Sequence, residues 1–217
     1  MSDFHQNGVI STLHNLSNRS LNEIEQELRE YSKDAPIELI LPSLYSELEG
    51  VALKNIVSCL SNVKYLNHIT IGLDKADKSE FIKAKKFFSN LNQPHSVIWN
   101  DSPKMKELDS DFKKLGIAPN QSGKGKNVWY CMGYTYSRNE AGSVALHDCD
   151  ITTYNRELLA RLVYPVSNPH FNYEFCKGYY PRIREGTLSG RVTRLLVTPL
   201  LKTFKKVLGH RDYIEFI

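Results

Sequence analysis

Apolar positions recur with two different periods along the first 150 residues. Leu21, Ile24, Leu28 and Tyr31 fall at helical spacing. They follow Ser20-Leu21-Asn22-Glu23, which reads as a capping box with Ser20 as N-cap and Glu23 reaching back. Ile37-Glu38-Leu39-Ile40-Leu41 predicts a short strand stopped by Pro42, with a helix expected from about Glu49 to Leu60. His68-Ile69-Thr70-Ile71-Gly72-Leu73 predicts a second strand ending at Asp74, then a Lys- and Phe-rich helix from about Lys78 to Ser89. Ser96-Val97-Ile98-Trp99 predicts a third strand, and Pro103, suited to a first helical turn, opens a charged helix to Leu115. A loop over 118–126 leads into a further helix, and Ser143-Val144-Ala145-Leu146-His147 predicts a fourth strand running into Asp148-Cys149-Asp150.

Strand alternating with helix predicts an α/β domain, a mostly parallel sheet with helices on both faces. In such sheets ligands collect beyond the C-terminal ends of the strands. Here those ends carry Pro42-Ser43-Leu44, Asp74, Asn100-Asp101 and Asp148-Cys149-Asp150, so polar and acidic groups gather along one edge.

Composition narrows the class without naming a function. With 217 residues, 41% hydrophobic and 24% charged, the chain has room for one domain with a real core. No stretch approaches the roughly 18 uninterrupted apolar residues of a membrane span. The net charge of +4 is too small to argue for a nucleic-acid partner. Cys59, Cys131, Cys149 and Cys176 form no CxxC pair, which disfavours a disulfide scaffold and a structural zinc site. The start shows no basic segment followed by an apolar run, so the expectation is a chain without secretory signal in a reducing cytoplasm. Residues 1–19 are polar and read as a loose arm.

Three segments carry candidate chemistry. In extended chain, residues two apart point to the same side, so Asp148 and Asp150 would face one spot. Two hard oxygen ligands with open positions suit Mg²⁺ or Mn²⁺ holding a diphosphate; a solvated acidic turn has the same residues. Gly123-Lys124-Gly125-Lys126 before a helix lacks the spacing of a P-loop and the third glycine of a dinucleotide fingerprint. Lys124 at a helix start suits a phosphate or sugar oxygen, and equally a solvated loop. Lys177, Arg182, Arg184, Arg191 and Arg194 stand against the single acid Glu185, and Gly190-Arg191-Val192-Thr193 opens an apolar helical run broken or kinked near Pro199. Backbone N–H groups, a hydroxyl and guanidinium donors there would receive a small anion with phosphate and carboxylate; a basic surface turn is the alternative. Tyr173, Phe175, Tyr179 and Tyr180 alternate as in a strand and read as core. His147 and His170 read as structural histidines with satisfied partners. Cys149, between two carboxylates, is expected to hold its proton. No Ser/His/Asp or Cys/His arrangement has a usable spacing.

Taken together, Leu41-Pro42-Ser43-Leu44-Tyr45-Ser46-Glu47-Leu48-Glu49, the Gly123-Lys124-Gly125 loop, Leu146-His147-Asp148-Cys149-Asp150, Phe175-Cys176-Lys177-Gly178-Tyr179-Tyr180 and Gly190-Arg191-Val192-Thr193-Arg194-Leu195 resemble, in order, the glucosyl-3-phosphoglycerate synthase family of GT-A glycosyltransferases. The resemblance runs from about Pro36 to the last residue. It implies a Rossmann-like nucleotide-sugar-binding domain over 36–217, preceded by an N-terminal arm and helix over 1–35. Family members are longer, so the implied chain is the N-terminal portion, lacking a downstream histidine of the metal site. Pro42, Leu44 and Glu47 would line the nucleoside pocket together with Asp74, although the loop Gly72-Leu73-Asp74-Lys75-Ala76-Asp77 departs from the usual acidic-serine pattern. Lys124 would approach the donor's diphosphate or sugar, Asp148 the ribose or metal, and Asp150 would ligate Mg²⁺ or Mn²⁺. Gly190, Arg191, Val192 and Thr193 would bind the acceptor. The implied reaction moves glucose from UDP-glucose or GDP-glucose to 3-phosphoglycerate with retention, with no membrane or nucleic-acid partner; a homodimer stays open. Mannosyl transfer from GDP-mannose to a glycerate, a non-catalytic nucleotide-sugar-binding fragment, and nucleotidyl transfer on a similar sheet are the alternatives.

Overall fold

The computed structural model describes residues 18–119, 121–178, 183–184, 187–188 and 193–209. Contacts divide the chain into two compact units, Met1–Cys176 and Lys177–Ile217. The first is an α/β domain. Its elements run α1 (Leu21–Asp34), β1 (Ile37–Leu44), a 3₁₀ turn (Tyr45–Glu49), α2 (Val51–Leu60), β2 (Leu66–Asp74), α3 (Lys78–Phe88), β3 (His95–Trp99), α4 (Pro103–Lys114), α5 (Lys124–Arg138), β4 (Ser143–Leu146) and α6 (Arg156–Ser167). The four strands form one sheet in the order β3-β2-β1-β4, every pair parallel. The chain steps outward from β1 to β3 and then returns to place β4 on the other side of β1. The β1/β4 boundary is therefore the topological switch point, where open α/β sheets bind their ligands.

Local signals start the helices as the sequence predicts. The Ser20–Glu23 capping box forms in both directions, and Asp77 and Glu80 make a second one at α3. Ser102 caps α4 with Pro103 in the first turn.

The sheet has two unlike faces. Ile37, Leu39 and Leu41 of β1 and Ile69, Ile71 and Leu73 of β2 join Ile24 and Leu28 of α1, Leu53, Ile56 and Leu60 of α2, and Leu159 and Val163 of α6 in one apolar core. Alternation turns Glu38, His68, Thr70 and Gly72 to the other face, which α5 covers. Thr70 and Thr135 hydroxyls meet there at 3.4 Å, and Arg138 Nε lies 3.6 Å from Glu38 Oε1. His68 Nε2 and Ser96 Oγ are 3.1 Å apart, and Ser96 Oγ reaches Tyr134 OH at 2.8 Å.

Pro42 does not stop β1, which runs on to Leu44. Even-numbered positions here turn their backbone polar groups toward β4: Pro36 O, one residue before β1, accepts from Gly142 and Ser143 N–H, and Ile40 O accepts from His147 N–H at 3.1 Å. Pairing with β4 ends at Ile40, so the N–H that Pro42 lacks would have pointed past the end of that strand. The helix expected from about Glu49 to Leu60 forms as α2, and a 3₁₀ turn over Tyr45–Glu49 that the sequence did not announce precedes it. The strand-like reading of the aromatic stretch is also corrected. Among the described residues 168–178 hold no strand, and Phe175 is 57% exposed. Tyr179 and Tyr180 lie outside the described residues, as do residues 1–17 of the expected arm.

In the second unit, Ile183–Arg184 (β5) and Thr187–Leu188 (β6) pair antiparallel, and a π turn over Thr193–Val197 leads into α7 (Thr198–Leu208). Pro199 sits in the first turn of α7, at the expected break. Among the described residues no helix is long and apolar enough to cross a membrane.

Candidate functional site

The first unit's candidate residues collect at the C-terminal edge of the sheet, around the switch point. Beyond β1, Leu44 N–H donates to Glu47 Oε2 at 2.9 Å, so the Glu47 carboxylate folds back on the strand end. Pro42 is buried beside Gly72 in the β1–β2 ladder. At the end of β2, Asp74 is partly buried and Oδ1 accepts from Asn100 Nδ2 at 2.7 Å. Burial raises the Asp74 carboxyl above the usual range, against the lowering pull of Asn100. Beside it, Ala76 N–H donates to Asp101 Oδ2 at 3.1 Å, so the third strand end joins the same row.

Beyond β4 the chain leaves the ladder at Leu146, but alternation continues: His147 and Cys149 are buried, Asp148 is half-exposed and Asp150 exposed. Both aspartates are open to solvent, with Asp150 in a turn that begins at Cys149. Lys124, the first residue of α5, crosses to this loop, with Nζ 2.5 Å from Asp148 Oδ1. The turn before it depends on Gly123, whose φ of +125° is a conformation that disfavours a side chain.

Burial, ahead of any nearby charge, pushes the Cys149 thiol far up; Glu47 and Asp148 add to it while Ser43 and Lys124 oppose. Desolvation, rather than the flanking carboxylates expected from the sequence, is the larger cause. His147 is buried, but neither ring nitrogen has a hydrogen-bond partner among the described residues, which corrects the expectation of a satisfied histidine. Its ring packs edge-on against Tyr154, and burial pushes its pKa down to about 4. His170 is exposed and not part of the core.

Sequence reasoning missed the residues that seat α5. Asn127, 2% exposed, donates from Nδ2 to Gly72 O at 2.9 Å. A Cβ at Gly72 would stand 1.7 Å from Asn127 Oδ1 and 2.5 Å from Cys131 Sγ. The glycine inside an otherwise apolar strand was the available signal, since it marks a close approach. On the other side of the helix, Asp109 of α4 accepts from Tyr130 OH at 2.5 Å and pairs with Lys126 at 2.5 Å and Lys113 at 2.8 Å.

Gly190, Arg191 and Val192 lie outside the described residues, and Thr193 is described only as the start of the π turn. Among the described residues no three His, Cys, Asp or Glu side chains gather to cage a metal. Two solvent-open carboxylates such as those of Asp148 and Asp150 would suit a different kind of site. Mg²⁺ keeps several waters and is held by one or two carboxylates plus substrate phosphates.

No family model matches the chain. It is 46% identical over 217 residues to glucosyl-3-phosphoglycerate synthase of Persephonella marina, a match covering all of this chain and 54% of that protein. It is 36% identical over 206 residues to glucosyl-3-phosphoglycerate synthase of Methanococcoides burtonii, covering 94% of this chain and 50% of that one. The chain spans about half the length of the curated relatives it matches. The likeness to the glucosyl-3-phosphoglycerate synthase family implied by the motifs holds along the whole chain, and the all-parallel α/β fold is consistent with a GT-A glycosyltransferase.

Proposed function

We propose that this chain provides the donor site of a glycosyltransferase that moves glucose from a nucleotide sugar to 3-phosphoglycerate with retention at the anomeric carbon. The observation that carries the reading is the Lys124–Asp148 pair at the β1/β4 switch point, with Asp150 exposed two residues on. The shared name of the two relatives supports glucose as the sugar and 3-phosphoglycerate as the acceptor.

The difficulty of such a transfer is charge separation: the anomeric carbon turns cationic as a diphosphate departs. Fixed positive charge at the diphosphate is then the main requirement. Lys124 supplies it from α5, whose first backbone N–H groups have no side-chain cap at Gly123. Asp150 and Asp148 would hold Mg²⁺ or Mn²⁺, which when bound neutralises the leaving phosphates. Pro42, Leu44, Glu47 and Asp74 would flank the nucleoside. Gly190, Arg191, Val192 and Thr193 would hold the acceptor's phosphate and carboxylate. The bond from the anomeric carbon to the phosphate oxygen breaks as the acceptor oxygen bonds that carbon on the same face. The acceptor's proton passes to the departing phosphate, so no protein nucleophile is required.

Calorimetry tests this directly. UDP-glucose or GDP-glucose should bind in the presence of Mn²⁺, and Asp150→Ala should abolish that binding. An unchanged Mn²⁺-dependent affinity in the variant would refute the site. A product assay with UDP-glucose, GDP-glucose and GDP-mannose fixes the donor; pyrophosphate as product would point instead to nucleotidyl transfer. Binding without product would make this chain a donor-binding part that does not turn over by itself.

A further inference from the structure

Two residues apart on a helix means about 200° around its axis, so Lys124 and Lys126 leave α5 on opposite sides. Each ends on an aspartate: Lys124 on Asp148 beyond β4, Lys126 on Asp109 of α4. The first turn of α5 is strung between the two, yet the two ends differ in kind. The Lys124–Asp148 pair is exposed, with 56% and 50% of the side chains open to solvent, and it is a single contact. Asp109 and Lys126 are only 16% and 19% exposed. Asp109 also accepts from Tyr130 OH, one turn further along α5 on a buried ring, and pairs with Lys113 of its own helix. Lys126 Nζ lies 5.8 Å from the centre of the same Tyr130 ring.

We infer that Asp109 is a positioning residue for the donor site: by fastening Lys126 and Tyr130 it holds the first turn of α5 in place while Lys124 exchanges Asp148 for the donor's diphosphate. The inference rests on the donor-site reading above. Its physical basis is the contrast in strength. An exposed single ion pair is held weakly and can be exchanged at little cost. A carboxylate shared by two ammonium groups and a phenol is a charge-assisted network that resists opening. The turn before α5 hinges on Gly123 and the helix's second residue is Gly125, so apart from Asn127's hold on Gly72 O little in this stretch would keep Lys124 over the switch point once Asp148 lets go. The clamp on the far side supplies what the glycines do not. It also occupies Lys126, leaving Lys124 as the cation that α5 offers to the sheet edge.

A double-mutant cycle tests this, with Mn²⁺ and whichever of UDP-glucose or GDP-glucose the wild-type chain binds. Asp109→Asn keeps the shape and an acceptor for Tyr130 while removing the charge. The expected result is at least a ten-fold loss of nucleotide-sugar affinity in Asp109→Asn, and no further loss when Asp109→Asn is added to Lys124→Ala. Amide hydrogen exchange should rise at least ten-fold over residues 124–128 and stay unchanged in β1 and β2. Additive losses in the cycle, an unchanged affinity, or exchange that is unchanged at 124–128 or raised equally throughout the sheet would each overturn the assignment. Lys126→Met removes the same ion pair from the other side and should give the same pattern, so a folding failure of Asp109→Asn does not leave the question open. Absence of binding in the wild-type chain would defeat the donor-site reading itself; wild-type binding left intact by Asp109→Asn would defeat the positioning role alone.

Discussion

Asn127 Nδ2 donates to Gly72 O at 2.9 Å, and no side chain fits between them. This contact sets how closely α5 lies on β2. A methyl group at Gly72 would meet Asn127 Oδ1 at 1.7 Å and Cys131 Sγ at 2.5 Å, so α5 must move or Asn127 must leave its carbonyl. Gly72→Ala should therefore destabilise the domain by about 1–3 kcal/mol, the usual cost of overpacking. Urea unfolding measures it. Since α5 carries Lys124, the same variant should also weaken nucleotide-sugar binding, and a variant as stable as wild type would show that α5 is not seated through this contact.

Lys124 and Asp148 make the opposite case. Their pair is half-exposed on both sides, and exposed pairs contribute about 0–1 kcal/mol to stability. Lys124→Ala should leave the unfolding midpoint almost unmoved while lowering nucleotide-sugar affinity at least ten-fold. A loss of stability with affinity retained would reverse the roles assigned here.

Much of this was legible before the fold was known. The four strands, the capping box at Ser20 and the acidic strand ends follow from apolar period and turn chemistry, which are local. Residues that act through contacts distant in sequence were not legible. Pro42 reads as a stop because the sequence does not say that β4 ends beside Ile40, sparing the missing N–H. Phe175 reads as core because alternation alone cannot tell an apolar face from an exposed one. Asp109 lies in a charged helix where any acid looks like solvated surface; its link to Lys126 and Tyr130 exists only once α4 and α5 are side by side. The acceptor candidates, among them Gly190, Arg191 and Val192, remain a reading of sequence.

Arg191→Ala should weaken binding of 3-phosphoglycerate more than that of the nucleotide sugar, because a guanidinium grips phosphate and carboxylate in a bidentate fork that alanine cannot replace. Titrating each ligand separately against the variant checks this. Equal effects on both would count against an acceptor role.

The four cysteines should divide in two toward a maleimide. Cys131 and Cys149 are buried, and burial raises both thiols, Cys131 to about 12. Cys59 and Cys176 are partly exposed, and although burial raises the Cys176 thiol too, it is their accessibility that sets them apart. In the folded protein near pH 7.5 only Cys59 and Cys176 should label within minutes, with all four labelling in urea; mass spectrometry of the peptides distinguishes the sites. Rapid labelling of Cys149 in the folded chain would mean that the loop carrying Asp148 and Asp150 opens freely.

His68 makes stability depend on pH. Burial under α5 holds its pKa below the ordinary value, and the nearby Arg138 and His95 push the same way while Glu140 opposes them. The imidazole of the unfolded chain therefore takes up a proton first as the solution is acidified. Below about pH 6.5 the unfolded state binds more protons than the folded one, so stability falls with pH, and it is fully present only above that value. His147, held down to about 4 by its own burial, acts in the same direction. It stays in place in a His68→Gln variant, so the difference between the two proteins isolates His68. Urea unfolding at pH 7.5 and pH 5.5 should show wild type losing more stability on acidification than His68→Gln. Equal losses would mean that the pocket shared with Ser96 and Tyr134 accommodates the charged ring, and that the polar face under α5 is open to water.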